Sequence, residues 1–166
     1  MNPGFLLFRR QIMNPARYRL FLLAKLPMGF LAGLKVVELQ ENKAIVSLRY
    51  KYITQNPFRS IYFAALSMAA ELSTGILGFA NIFKRNPPVS MLVIKMQGEF
   101  YKKAVGKIKF TCYDGKVVED AVELTLATGE GVVVNCTSVG LNEQDEEVAK
   151  FIFTWSFKAK SNQTKP

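Results

Sequence analysis

Glu71 is the only carboxylate or basic side chain in the segment from Ser60 to Phe83, which is otherwise built from apolar, small and hydroxyl residues. At helical spacing its neighbours are Ser60, Ala64, Ser67, Thr74, Gly75 and Gly78, a face that is small and partly polar. An unpaired buried carboxylate is costly, so such a group is paired, protonated or placed beside a wet cavity, and burial raises its pKa. A carboxylate that titrates near neutrality suits general acid or base work. The competing reading is an ion pair with Arg59, Lys84 or a strand lysine, or a solvent-facing position on the helix. The 166 residues include no histidine, which excludes Ser-His-Asp and Cys-His catalysis, imidazole bases and histidine metal sites together. No metal or redox cofactor is expected, and any chemistry runs on carboxylates, hydroxyls, amides or lysine.

The elements that would hold Glu71 follow from periodicity. Residues 4–13 and 15–27 read as short amphipathic helices, with Asn14 as cap and Pro15 at the first helical position of the second. Period two begins after Gly33: Leu34 to Gln40 pairs through the turn Glu41-Asn42-Lys43 with a strand over residues 44–52. The turn-rich Thr54 to Arg59 feeds one long helix, Ser60 to Phe83, and Asn86-Pro87-Pro88 ends it. Strands are then expected at 89–97 with a continuation over 99–103, at 107–113, 132–139 and 148–158, the last with Ala149, Phe151, Phe153, Trp155 and Phe157 alternating on one face; residues 116–128 read as a helix after the Asp114-Gly115 turn or, over 118–126, as a strand extension, and 143–147 as a hairpin loop. Strands gathered around one apolar helix predict an α+β domain whose curved antiparallel sheet, a meander after the helix, wraps that helix.

Composition bounds the rest. With 49% hydrophobic residues and a net charge of +9, the chain can bury a sizeable core, and two cysteines are too few for a disulfide framework. Cys112 and Cys136 read as small buried hydrophobes on strands. The lysines and arginines are scattered without a recognition-helix cluster, so no nucleic-acid partner is expected; an anionic small ligand or membrane surface explains the charge as well. Arg9, Arg10, Arg17 and Arg19 before the apolar run from Leu20 mimic a secretory leader, but Lys25 and Pro27 interrupt the run and no cleavage site follows. The long helix could span a bilayer by length, yet Glu71 and its Ser, Thr and Gly residues favour a buried soluble helix. The expectation is a cytoplasmic protein without an integral membrane segment: an N-terminal helical extension at 1–27, one domain at 28–158 and a flexible tail at 159–166.

Residues 28–158 resemble the hotdog-fold acyl-CoA thioesterases, in the branch of the phenylacetic-acid-pathway thioesterase. The resemblance rests on Met28 to Val37, the strand after it, Asn56, and the helix from Ser60 to Gly78 with Glu71 and Gly75. In that branch an asparagine precedes the helix, His-Gly-Gly follows six residues later, and a catalytic Asp or Glu lies nine residues beyond the histidine. Here the spacing is Asn56, Tyr62-Phe63-Ala64, Glu71, with Tyr62 in place of the histidine and Phe63-Ala64 in place of the glycines.

The resemblance implies a hotdog domain that dimerises through the strand at 89–97, as a homodimer or dimer of dimers, with sites at the subunit interface. It implies hydrolysis of an acyl-CoA thioester, coenzyme A being part of the substrate and no cofactor being needed. Glu71 would act as base or nucleophile, Asn56 with Ser67 or Thr74 would position water or substrate, and the Phe63 amide would support the oxyanion. Asn56 reads equally as an ordinary turn residue before proline, and Tyr62 as core packing at a helix start. Lys95, Lys102, Lys103, Lys107 and Lys109 either meet the phosphates of coenzyme A or are solvated strand lysines. The alternative from another class is a non-catalytic acyl- or lipid-binding protein that keeps the fold without the chemistry.

Overall fold

The computed structural model describes residues 2–160. Three short helices open the chain: α1 (Gly4–Ile12), α2 (Pro15–Lys25) and α3 (Pro27–Ala32). Asn14 caps α2 as expected, its Oδ1 accepting from the Arg17 amide at 3.1 Å with Pro15 at the first helical position. The third helix was not anticipated. Pro27 cannot continue α2, yet it starts α3, which closes at Gly33 in the left-handed conformation (φ +74).

The first hairpin joins β1 (Lys35–Leu39) to β2 (Ala44–Arg49) across the expected turn, where the Gln40 amide donates to the Lys43 carbonyl. β2 stops short of residue 52. Tyr52–Thr54 forms a 3-10 turn instead, held because the Thr54 hydroxyl accepts from the Lys51 amide and donates back to the Arg49 carbonyl. The long helix α4 runs Phe63–Ile82, three residues later than expected. Ser60 to Tyr62 stay extended: the Ile61 amide donates to Ala104, the Tyr62 amide to Thr54, and Ile61 bridges Gln55.

The expected pair 89–97 and 99–103 is a single strand, β3 (Val89–Phe100), with a bulge between Val93 and Lys95. Gly98 is no break in it. A Cβ there would lie 2.7 Å from the Phe151 ring, so glycine lets the strand close on its neighbour. β4 (Lys107–Cys112), α5 (Gly115–Thr128), β5 (Val132–Leu141) and β6 (Glu147–Ala159) complete the domain. The sheet is antiparallel with order β1-β2-β4-β5-β6-β3. It is therefore not the plain meander expected after α4: β3 pairs with β6 at the far edge, and the chain then crosses the end of the sheet to enter beside β2, where the Tyr50 amide donates to Gly106. β6 reaches Ala159 and the Lys160 amide donates to Pro88; the tail expected over residues 161–166 lies outside the described residues.

α4 lies in the hollow of this sheet. Leu66, Ala69, Ala70, Ile76, Leu77 and Ala80 are buried against Phe110, Cys136, Phe151, Phe153, Trp155 and Phe157, each large side chain adding about 1.5–3 kcal/mol of burial. Small residues on α4 permit the approach. The Ser73 hydroxyl meets that of Ser138 at 2.7 Å, tying the helix to β5. α4 is the one described helix long and apolar enough to cross a bilayer, and it is mostly buried inside the domain. Cys112 and Cys136 are free, buried strand residues; contact with Cys136 and burial push the Cys112 thiol upward.

Candidate active site

Glu71 sits on the third turn of α4, half-buried, on the side of the helix that meets β6. Two features of the local sequence make its place. A Cβ on Gly75 would meet both the Glu71 Oε1 and the Trp155 ring at 3.1 Å, so glycine one turn on leaves room for the carboxylate. Thr74 fixes the same turn to the sheet: its hydroxyl donates to the Glu71 carbonyl at 2.9 Å and accepts from Trp155 Nε1 at 3.0 Å. The Glu71 carboxylate itself has no hydrogen-bond or ion-pair partner among the described residues. Neither Arg59 nor a strand lysine reaches it, and Lys84 lies over the Phe83 ring instead. Burial alone pushes its pKa up to about 7, which leaves the group divided between its two protonation states at neutral pH.

The start of α4 forms a second feature. Tyr62 is the N-cap and offers no side-chain cap, and the Phe63 and Ala64 amides have no acceptor among the described residues. These two donors head a 20-residue helix, where the dipole also favours negative charge. Beside them is a cavity of about 460 Å³ lined by Asn56, Phe58, Tyr62, Phe63, Phe100 and Lys103 among others. Tyr62 and Phe63 are half-exposed at its mouth, with ring centroids 4.8 Å apart, and Phe63 meets Phe100 edge-on at 6.4 Å.

The residues singled out from sequence thus divide into two groups. Asn56, Tyr62 and Phe63 share the cavity at the head of α4, whereas Glu71 does not line it. The Asn56 Oδ1 is used by its own loop, accepting from the Phe58 and Ser60 amides and the Ser60 hydroxyl. Ser67 lies one turn before Glu71 and donates to the Phe63 carbonyl at 2.9 Å. Thr74 is fully buried with its proton engaged, so it anchors the Glu71 turn and faces no open space. Of the lysines expected to meet phosphate or solvent, Lys102 and Lys103 both line the cavity, and Lys102 is also paired with Glu146 at 2.6 Å. Trp155 and Phe100 belong to the site's surroundings, and the sequence places them only within expected strands, at 148–158 and 99–103.

Eight residues separate Phe63 from Glu71, about 12 Å along a helix axis. A reacting carbonyl would need to lie within about 3 Å of both its base and its oxyanion donors. One chain therefore does not bring the two features to one carbonyl. Both flank the same open flank of the fold, where β3 is an edge strand with Leu92, Ile94, Met96 and Phe100 between 47% and 64% exposed.

No family model matches the chain, and no curated protein matches it. Solved structures do. A protein of unknown function from Pseudomonas aeruginosa, named a probable thioesterase, is 20% identical, with a TM-score of 0.74 over 88% of this chain and 97% of that one. A thioesterase from Haemophilus influenzae is 12% identical, with a TM-score of 0.63 over 87% and 92%. The Escherichia coli PaaI protein from the phenylacetic acid degradation operon is 12% identical, with a TM-score of 0.60 over 93% and 96%. At these identities the likeness establishes the architecture: the domain has the hotdog fold expected from residues 28–158.

Proposed function

We propose that this hotdog-fold chain is an acyl-CoA thioesterase that works as a two-fold dimer. The observation that carries the reading is the Glu71 carboxylate: half-buried, without a partner, and titrating near neutrality beside an unpaired sheet edge. Pairing β3 with its copy across a two-fold axis would cover the exposed Leu92, Ile94 and Met96 and set two α4 helices side by side. Glu71 of one protomer would then approach the α4 head of its partner, which resolves the separation of about 12 Å within one chain. Thioesterases among the solved structures of this fold support the same class of reaction.

In this reading Glu71 takes a proton from water as the water oxygen attacks the thioester carbonyl. The unsatisfied Phe63 and Ala64 amides receive the developing oxyanion. Collapse of the tetrahedral intermediate expels the coenzyme A thiolate, and the proton held on Glu71 passes to the sulfur. Water and thioester become a free acid and a thiol, with no cofactor. The cavity beside Phe63 and Phe100 suits an apolar acyl chain, and Lys103 at its rim suits an anionic carrier.

The test is free-thiol release from a short-to-long acyl-CoA panel by wild type and Glu71→Gln. We expect kcat to fall at least about 100-fold in the variant, on the scale of a lost general base, with KM little changed. Saturable binding of acyl-CoA without turnover by wild type would move the assignment to an acyl-binding protein. The half-exposed Tyr62 and Phe63 rings at the helix mouth are the feature that would favour that second reading.

A further inference from the structure

A larger cavity lies at the opposite end of the sheet. It measures about 650 Å³ and is lined by α2, α3 and β1 with the last residue of α1, and by Lys51, two residues beyond β2. No residue of α4 lines it, and β1 and β3 are the two outer strands of the sheet, so it is separate from the Glu71 region. The volume falls in the range of small-molecule sites, roughly 300–1,000 Å³.

Its lining is sharply divided. Leu22 and Phe30 stand for the apolar wall, while Arg19, Lys35 and Lys51 are exposed cations at the rim. No acidic residue lines the cavity, and none of the three cations has a carboxylate partner among the described residues. The sequence explains the bias: residues 1–37 hold six Lys and Arg and no Asp or Glu. Packing aims the charges. The Arg19 guanidinium lies 5.9 Å over the Phe30 ring, and a Cβ on Gly33 would run into the Lys51 ammonium, so the left-handed glycine leaves that head group its place.

Tyr18 supplies an independent observation. It is 6% exposed, lines the cavity, and its hydroxyl is buried against the Val36 backbone amide, with no acceptor for its own proton among the described residues. A buried hydroxyl left unmade costs about 1–3 kcal/mol, so such a group points to a ligand that completes it.

We propose that this cavity is a second ligand site, which takes an amphiphile ending in an anionic group. The apolar wall receives the chain, the three cations hold the anion, and Tyr18 donates a hydrogen bond to it. The site stands without the Glu71 reading.

The experiment is calorimetric titration with decanoate and with decyltrimethylammonium, both below their micellar thresholds. The decanoate site that depends on the cation rim should fill once per chain, and the cationic analogue should bind it at least about tenfold more weakly, since like charges facing each other are strongly disfavoured. The double variant Arg19→Glu, Lys51→Glu should weaken decanoate at least about tenfold, again through charge reversal. Lys35→Gln, at an exposed position, gives a milder loss if the double variant fails to fold. Tyr18→Phe should weaken decanoate several-fold and leave the weak binding of the cationic analogue unchanged, a selectivity that a purely structural tyrosine would not give. Glu71→Gln should bind decanoate as wild type does.

A parallel arm sediments the protein with phosphatidylglycerol and with phosphatidylcholine vesicles. Decanoate binding assigns a free fatty acid; cosedimentation with the anionic vesicles alone, lost on rim reversal, assigns a lipid headgroup. No binding in either arm overturns the proposal. So does decanoate binding that ignores the rim and Tyr18, or that disappears in Glu71→Gln.

Discussion

The two edges of the sheet are treated in opposite ways. β1 has five residues and stands beside α2 and α3, with Tyr18 against the Val36 backbone and lysine at its start. β3 has twelve residues, and Leu92 and Ile94 are among its exposed side chains. A long, apolar, unpaired edge is a template for another strand, whereas short length, charge and cover are the usual defences. The chain closes one edge with its own N-terminal helices, and a cation-rimmed cavity results. It leaves the other edge open, and there Glu71 remains half-buried without a partner. What the difference teaches is a division of labour: the first edge stands beside helices of its own chain, and the second is left for the copy that the proposed dimer would supply.

The largest effect should come from breaking the open edge. In the proposed dimer Ile94→Glu places like charges near the two-fold axis, which should weaken association by about 100-fold or more and lower turnover in parallel at micromolar concentration. Val37→Glu, at an exposed position on β1, should change neither. Sedimentation velocity beside acyl-CoA hydrolysis reads both. A dimeric, fully active Ile94→Glu protein would remove the distinction between the edges.

The edges also mark where the sequence was legible. The alternation of β6, the Asn14-Pro15 cap and the solitary Glu71 each follow from local rules of period, capping or desolvation, and each stands in the structure, whereas in β2 Ser47 is buried beside Val46 and Leu48. What local pattern does not carry is pairing. Nothing within residues 89–100 says that β3 joins β6 rather than β4, because that choice depends on how the whole sheet curves around α4. The same holds at the site. Spacing placed Asn56 near Glu71 in sequence, but the loop captures its carboxamide oxygen, and Thr74 faces Trp155, a partner 81 residues away. Helical periodicity put Ser67, Thr74 and Gly75 around Glu71 without distinguishing a residue that lines open space from one that anchors the turn.

Next in size is a pH effect. The Glu71 pKa is raised from 4.5 to about 7, so between these values the folded chain binds a proton that the unfolded chain has lost. Its contribution to stability is fully present below about pH 4.5 and disappears as pH rises through about 7. A shift of that size corresponds to about 3 kcal/mol. Glu71→Gln and wild type should therefore converge in urea midpoint near pH 4, with the variant more stable by up to about 3 kcal/mol at pH 8. Subtracting the variant cancels carboxylates that shift the other way, such as Glu146, which hydrogen bonding from Lys102 holds below its ordinary range. Equal midpoints at pH 8 would mean that the Glu71 carboxylate is solvated or paired, and the open edge would lose its chemistry.

The smallest effect tests the closed edge. The Asn14 side chain caps α2 by accepting from the Arg17 amide, and removing it in Asn14→Ala should cost about 1 kcal/mol, since that amide then relies on water. Because α2 carries Tyr18 and Arg19, fraying at its start should also weaken decanoate, by a few-fold at most. Turnover and dimerisation should stay at wild-type values, because α2 lies beside the outer strand farthest from β3. If Asn14→Ala lowers kcat/KM as much as it lowers decanoate affinity, the two edges communicate through α4, and the cation-rimmed cavity becomes a regulator of the Glu71 site rather than its neighbour.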